Sequence, residues 1–77
     1  MNSVAERVRK VVNSVLHVDP ALMTVDARFV QDLGAESLKS MELIAAFEAE
    51  FDIELNEDEA LACKTIGAAI EHIEALI

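Results

Sequence analysis

Ser37 occupies the place in this chain that most invites chemistry. It lies in DLGAESLKSME, residues 32–42, where a loop-like stretch gives way to a strongly periodic apolar run. The first turn of a helix leaves backbone N–H groups without partners and carries the positive end of the helix dipole. A hydroxyl there can simply cap the helix, which is a common use of serine. It can also carry a phosphodiester, because an attached phosphate would meet N–H donors and a favourable field. Position alone leaves both uses open, with capping the commoner. Ser40 lies one turn further on and lacks the helix-start position.

The other reactive residue types are sparse. Nucleophilic catalysis by Ser37 itself would require a base within hydrogen-bond reach, held by a third group. His17 and His72 are the only histidines, and each falls at a predicted helix end or face, where a surface or packing role is the plain expectation. Cys63 lies among Leu61, Ala62 and Ile66 and reads as a small buried apolar residue rather than a working thiol. The acidic run DIELNEDE, residues 52–59, puts Asp52, Glu54, Asn56 and Asp58 at alternate positions of a calcium-loop template. The glycine that the template needs at its sixth position is Glu57, and its final glutamate is Cys63, so the EF-hand reading is rejected and no metal site is assigned. What remains is a solvated acidic face, open to loose counter-ions or to partners.

Composition narrows the function classes. Seventy-seven residues suit one domain, and the 53% apolar content argues for a folded core rather than a disordered tail. With three Phe and neither Trp nor Tyr, that core must be built from aliphatic side chains. Fifteen acidic residues against six basic ones leave a net charge of −9. Such a surface repels nucleic acid and attracts basic protein patches. One cysteine excludes an internal disulfide, and neither a signal peptide nor a membrane span is evident. A soluble cytoplasmic monomer is expected.

Helices must position the serine. Ser3 and Glu6 fit a capping box, and Val4, Val8, Val11, Val12, Val15 and Leu16 recur on one helix face. Asp19-Pro20 should end that pattern, and Asp19, Pro20 and Leu22 can form a short helical turn. From His17 to about Glu36 no period is sustained. Leu22, Val25, Phe29, Val30 and Leu33 are the expected anchors of this long loop, and Gly34 its tight point. A second helix should begin at Glu36 or Ser37 and run to about Phe51, with Leu38, Met41, Leu43, Ile44, Ala45, Phe47 and Phe51 as its apolar face. A short helix is expected over 58–62. Thr65 should cap the last, striped by Ile66, Ala69, Ile70, Ile73, Leu76 and Ile77. Three longer helices and a short one, without strand signals, make an all-α four-helix bundle. The twelve alanines suit close helix approach, or an adaptable interior lined by Ala45, Ala46, Ala60, Ala62, Ala68 and Ala69.

The stretch DLGAESLKSMELIAAFEAEFDIEL resembles the acyl carrier protein family, through Asp32, Leu33, Gly34, Ser37, Leu38, Glu42, Leu43, Glu48, Glu50 and Phe51. The likeness extends to TIGAAIEHI and, more loosely, to the first helix. It implies that Ser37 accepts 4′-phosphopantetheine from coenzyme A, and that the cofactor thiol then holds acyl groups as thioesters for fatty-acid or related enzymes. The protein itself would not be an enzyme. The implied partners are a phosphopantetheinyl transferase and acyl-transferring, ketosynthase or acyl-ligase enzymes with basic patches. Glu36, Leu38, Lys39, Met41, Glu42, Glu48 and Glu50 are the expected contacts, within a region 36–59 holding nine acidic residues and one basic. Glu36 replaces the family's usual Asp, Lys39 and Ala49 stand where acids are common, and Asn56 stands where proline is frequent. These departures leave room for a specialised carrier of polyketide, lipid-modification or aminoacyl routes. An acidic helical adaptor without cofactor is the alternative from another class.

Overall fold

The computed structural model describes residues 3–77. Four α-helices follow in order: α1 (Val4–Leu16), α2 (Ser37–Phe51), α3 (Glu57–Leu61) and α4 (Ile66–Glu74), with one 3-10 turn at Pro20–Leu22 between α1 and α2. The described residues contain no strand, only an isolated antiparallel bridge between Arg28 and Thr65. The bundle expected from the apolar periodicity is the bundle observed.

Helix α1 starts as its capping residues dictate, with the Ser3 hydroxyl accepting the Glu6 N–H at 3.1 Å. Val8, Val11 and Val12 are buried, and Val4, Val15 and Leu16 pack at their edge. The helix stops short of the Asp-Pro pair. His17 turns into the left-handed region at φ 54° and returns its N–H to the Asn13 carbonyl. The Asn13 amide then donates to the Val18 carbonyl at 2.6 Å, closing the end of the helix. Asp19 and Pro20 begin the 3-10 turn, whose Ala21 N–H is accepted by the Asp19 carboxylate at 2.9 Å.

Arg7 joins α1 to the far end of α2. Its guanidinium lies 2.8 Å from a Glu50 carboxylate oxygen, donates at 2.6 Å to the Glu50 carbonyl, and stacks 4.3 Å from the centre of the Phe51 ring. It thereby satisfies one of the carbonyls that the last turn of α2 leaves free.

The long loop is pinned differently from the expected pattern. Phe29 and Leu33 are buried as expected, but Leu22, Val25 and Val30 are more than half exposed, while Met23, Ala27 and Ala35 take the interior places. The cause is backbone pairing. Gly67 N–H donates to the Val25 carbonyl at 2.9 Å, Ile66 N–H to the Ala27 carbonyl at 3.0 Å, and Phe29 N–H to the Lys64 carbonyl at 3.0 Å. Extended pairing alternates the side chains, so Ala27 and Phe29 face inward while Arg28 and Val30 face outward. Hydrophobicity along the loop does not encode that alternation.

Two other edges shift. Helix α3 begins at Glu57, one residue before the expected Asp58, because the Asn56 side chain caps it by accepting the Glu59 N–H at 3.0 Å. Thr65 caps α4 as expected, accepting the Ala68 N–H at 3.1 Å, and Ile66, Ala69, Ile70 and Ile73 are buried. Leu76 and Ile77 lie past the end of α4 and are exposed, so they are not part of the buried stripe.

Gly67 shows how tightly loop and helix meet. A Cβ built there would stand 2.9 Å from the Val25 carbonyl oxygen. Alanine inside a helix is ordinarily better than glycine by about 1 kcal/mol. Gly67→Ala is expected to reverse that sign and lower the melting temperature, with a net loss of about 1 kcal/mol corresponding to roughly 4–8 °C. Thermal unfolding followed by circular dichroism tests it, and a higher melting temperature would show that the loop yields freely.

Candidate functional site

The loop delivers the chain to Ser37 through a compact turn. Arg28 grips Asp32 with two guanidinium bonds, at 2.9 and 3.0 Å, and its backbone N–H donates to the same carboxylate at 2.8 Å. Leu33 N–H donates to the Arg28 carbonyl at 3.1 Å, and Ala35 N–H to the Phe29 carbonyl at 2.8 Å. Gly34, at φ +74°, takes the left-handed conformation that glycine accepts without penalty. Leu33 and Ala35 are buried on either side of it, and Ala35 is fully enclosed. The guanidinium bonds of Arg28, aided by its backbone N–H, hold the Asp32 carboxyl at about 2.

Ser37 is the first residue of α2 and is exposed. Glu36 sits at the cap position with extended backbone but makes no side-chain bond to the first turn. The other described helix starts differ, since Ser3, Asp19, Asn56 and Thr65 all accept a first-turn N–H. Glutamate is one methylene too long to reach back as aspartate does. The leading N–H groups of α2 therefore have no side-chain acceptor.

The residues expected to meet partners divide into two sets. Glu36, Leu38, Lys39, Met41 and Glu42 gather on the first turns of α2, beside Ser37. Leu38 and Met41 belong to the exposed surface at 69% and 41%, not to the buried face, which is made by Leu43, Phe47 and Phe51. Ala45 is likewise exposed. Lys39 lies 3.3 Å from Glu42. Glu48 and Glu50 sit at the other end of the helix and have internal duties. Glu48 accepts the Leu55 N–H at 2.9 Å, closing the turn after α2, and Glu50 holds Arg7.

Beneath this surface lies a cavity of about 500 Å³ between α2, α3, α4 and the loop. Leu43, Ile44, Phe47, Leu55, Leu61 and Ile73 supply much of its apolar wall, with Ser40, Cys63 and His72 among its polar members. Ser40, which is part of its lining, lies one turn and about 5 Å along α2 from Ser37. Of the alanines expected to line an interior, Ala60 and Ala69 do so; Ala45 and Ala62 are exposed. The cavity arises from helix spacing and has no signature in the order of residues. His17 is exposed at the end of α1, and His72 is half-buried in the cavity wall. Cys63 is half-buried rather than enclosed, with its sulfur 3.6 Å from the Glu59 carbonyl. Burial pushes its thiol up, reinforced by the Glu59 charge, which suppresses the reactive thiolate.

The phosphopantetheine attachment site family model matches residues 6–73 of this chain. The chain belongs to the acyl carrier protein family. It is 49% identical over 74 residues to the acyl carrier protein of Phenylobacterium zucineum, covering 96% of this chain and 94% of that one. It is 48% identical over 73 residues to the acyl carrier protein of Caulobacter vibrioides, with 95% and 94% covered. A solved structure from Mycobacterium tuberculosis, assigned as an acyl carrier protein, superposes with a TM-score of 0.89 at 29% identity, over 97% of this chain and all of that one. Members of this family carry 4′-phosphopantetheine, and the donor set beside Ser37 suits it: an exposed hydroxyl next to first-turn N–H groups that no side chain occupies, with a cavity one turn away.

Two consequences can be measured. Glu36→Asp is expected to cap α2 and raise stability by about 0.5–1 kcal/mol, seen as a higher thermal midpoint with the fold unchanged. An unchanged midpoint would mean that aspartate, too, fails to reach the first turn. Second, the Arg28–Asp32 clamp should persist through mildly acidic solution. The folded carboxyl stays ionised down to about 2, and its stability contribution, full above the unfolded value, is lost progressively as pH falls from the ordinary aspartate range through about 2. Carboxyl chemical shifts should titrate Asp32 near 2, and at higher pH in Arg28→Ala, which loses the guanidinium bonds but keeps the backbone N–H bond. A low midpoint surviving in Arg28→Ala would assign the shift to another cause.

Proposed function

We propose that Ser37 is the residue that accepts 4′-phosphopantetheine, and that the chain acts as a carrier without catalytic activity of its own. The observation that carries this reading is the exposed Ser37 hydroxyl on the first residue of α2, beside N–H groups left open by Glu36. Those donors and the helix dipole favour the negative charge of a phosphodiester. The bound cofactor supplies a terminal thiol for thioester formation. The chain's own part is to hold the attachment point rigid through the Arg28–Asp32 turn and to place it near a cavity with a largely apolar wall.

The carrier reading gives Ser37 no catalytic part of its own. Among the described residues no side-chain bond links the Ser37 hydroxyl to a histidine or a carboxylate, and this reading assigns the base to a transferase. His72 lies on α4, in the cavity wall. The cavity suits an acyl chain sheltered between enzymes, because its apolar walls exclude water from a chain covalently tethered nearby. Partners with basic patches are proposed, matching the net charge of −9. Lys39, beside the serine, would disfavour partners built to pair an acid at that point. Its contact with Glu42 is exposed and contributes well under about 1 kcal/mol to stability.

The test is modification with coenzyme A and a phosphopantetheinyl transferase, read by intact mass. The wild-type chain is expected to gain one phosphopantetheinyl group, and Ser37→Ala none, with its helical signal kept. Modification of Ser37→Ala, for example at Ser40, would overturn the assignment. Failure of the wild-type chain to react would favour a cofactor-free adaptor.

A further inference from the structure

We infer that the acyl cargo of this carrier bears a hydroxyl group along its chain, and that His72 is the residue that reads it. This rests on the carrier reading above and names the class of cargo that the cavity fits.

The cavity wall is not hydrocarbon throughout. Leu43, Phe47 and Ile73 line it and are buried, while Ser40, Cys63 and His72 share the lining and are each half-buried. Arg28, Gln31 and Lys64 also touch the cavity but are exposed, which puts them at its rim. A few polar groups set among apolar walls are what give a pocket its preference among ligands of similar size.

The three inner polar groups are not equally free. The Cys63 sulfur lies 3.6 Å from the Glu59 carbonyl, its hydrogen-bond acceptor. Ser40 lies inside α2, where a serine hydroxyl can turn back to a carbonyl of its own helix. His72 shares one face of α4 with Ala69 and Ile73, both buried. Among the described residues no hydrogen bond engages its ring, and no buried side-chain N or O atom lacks a partner, so its ring nitrogens are open to solvent from the cavity side.

That openness decides what can fill the cavity well. A neutral imidazole has one donor and one acceptor. An alkyl chain laid against it covers both and pairs with neither, and a covered polar group without a partner weakens binding. A hydroxyl both donates and accepts, so it pairs with either tautomer of the ring. A hydroxylated chain therefore makes the same apolar contacts with Leu43, Phe47 and Ile73 and also satisfies His72. A saturated chain makes only the apolar contacts.

The experiment loads the full chain with defined cargo. A phosphopantetheinyl transferase is supplied with the coenzyme A thioester of octanoate, β-hydroxyoctanoate or ω-hydroxyoctanoate. Loading is verified by intact mass, and thermal midpoints are read by circular dichroism. A cargo held only by the folded cavity raises the midpoint. At least one hydroxylated cargo is expected to be held roughly tenfold better than octanoyl, which is about 1.4 kcal/mol and a midpoint higher by roughly 5 °C or more. His72→Leu should reverse that order in favour of octanoyl, whereas His72→Gln, which keeps a donor and an acceptor, should preserve it. An octanoyl midpoint in the wild-type protein that equals or exceeds both hydroxylated ones would overturn the inference, as would a hydroxyl preference that persists in His72→Leu. A wild-type chain that gains no mass from any of the three thioesters overturns the carrier reading itself, which separates the two failures.

Discussion

Three backbone hydrogen bonds between the long loop and the start of α4 decide where everything else in this protein can go. They join Val25 to Gly67, Ala27 to Ile66, and Lys64 to Phe29. A segment of this length without regular structure would otherwise cost much conformational entropy to hold in one path. The bonds satisfy backbone groups that approach the core, set the inward and outward alternation of Ala27 to Val30, and bring Phe29 and Leu33 into the core ahead of the turn into α2. Gly67 is what permits this approach, since any side chain there meets the Val25 carbonyl.

From that fixed strip the Arg28–Asp32 clamp and Gly34 turn the chain into α2. The result is a serine that follows a hydrogen-bonded turn yet is itself open to solvent. Its helix start lacks the side-chain cap that the other helix starts have. An acceptor supplied by the protein would stabilise the first turn but would also occupy donors suited to a phosphate. Glu36 keeps negative charge beside the helix dipole while leaving those donors open.

The electrostatics follow a similar division of labour. Six basic residues among fifteen acids are not spread evenly, and three of them are spent on specific pairs: Arg7 with Glu50, Arg28 with Asp32 and Lys39 with Glu42. One pair fastens α1 to α2, and the other two quieten the charge around Ser37. Exposed pairs of this kind add little stability. Their larger effect is on what an approaching surface encounters.

The order of residues by itself determined the helices and the place of the serine. Apolar spacing, Ser3, Pro20 and Thr65 mark helix boundaries through local chemistry, and local chemistry needs no partner in space. The DLGAES run likewise marks a helix start with a hydroxyl at its head, and the likeness it shares with acyl carriers pointed to phosphopantetheine. Tertiary structure alone decided which apolar residues are inside. Leu22, Val25, Val30, Leu38 and Met41 are as hydrophobic as their buried neighbours, but the loop–helix pairing and the second face of α2 turn them outward. It also decided that Glu48 and Glu50 serve the fold, and that Ser40, one turn from Ser37, lines a cavity. Those outcomes depend on distances between segments far apart in the chain, which neither periodicity nor composition records.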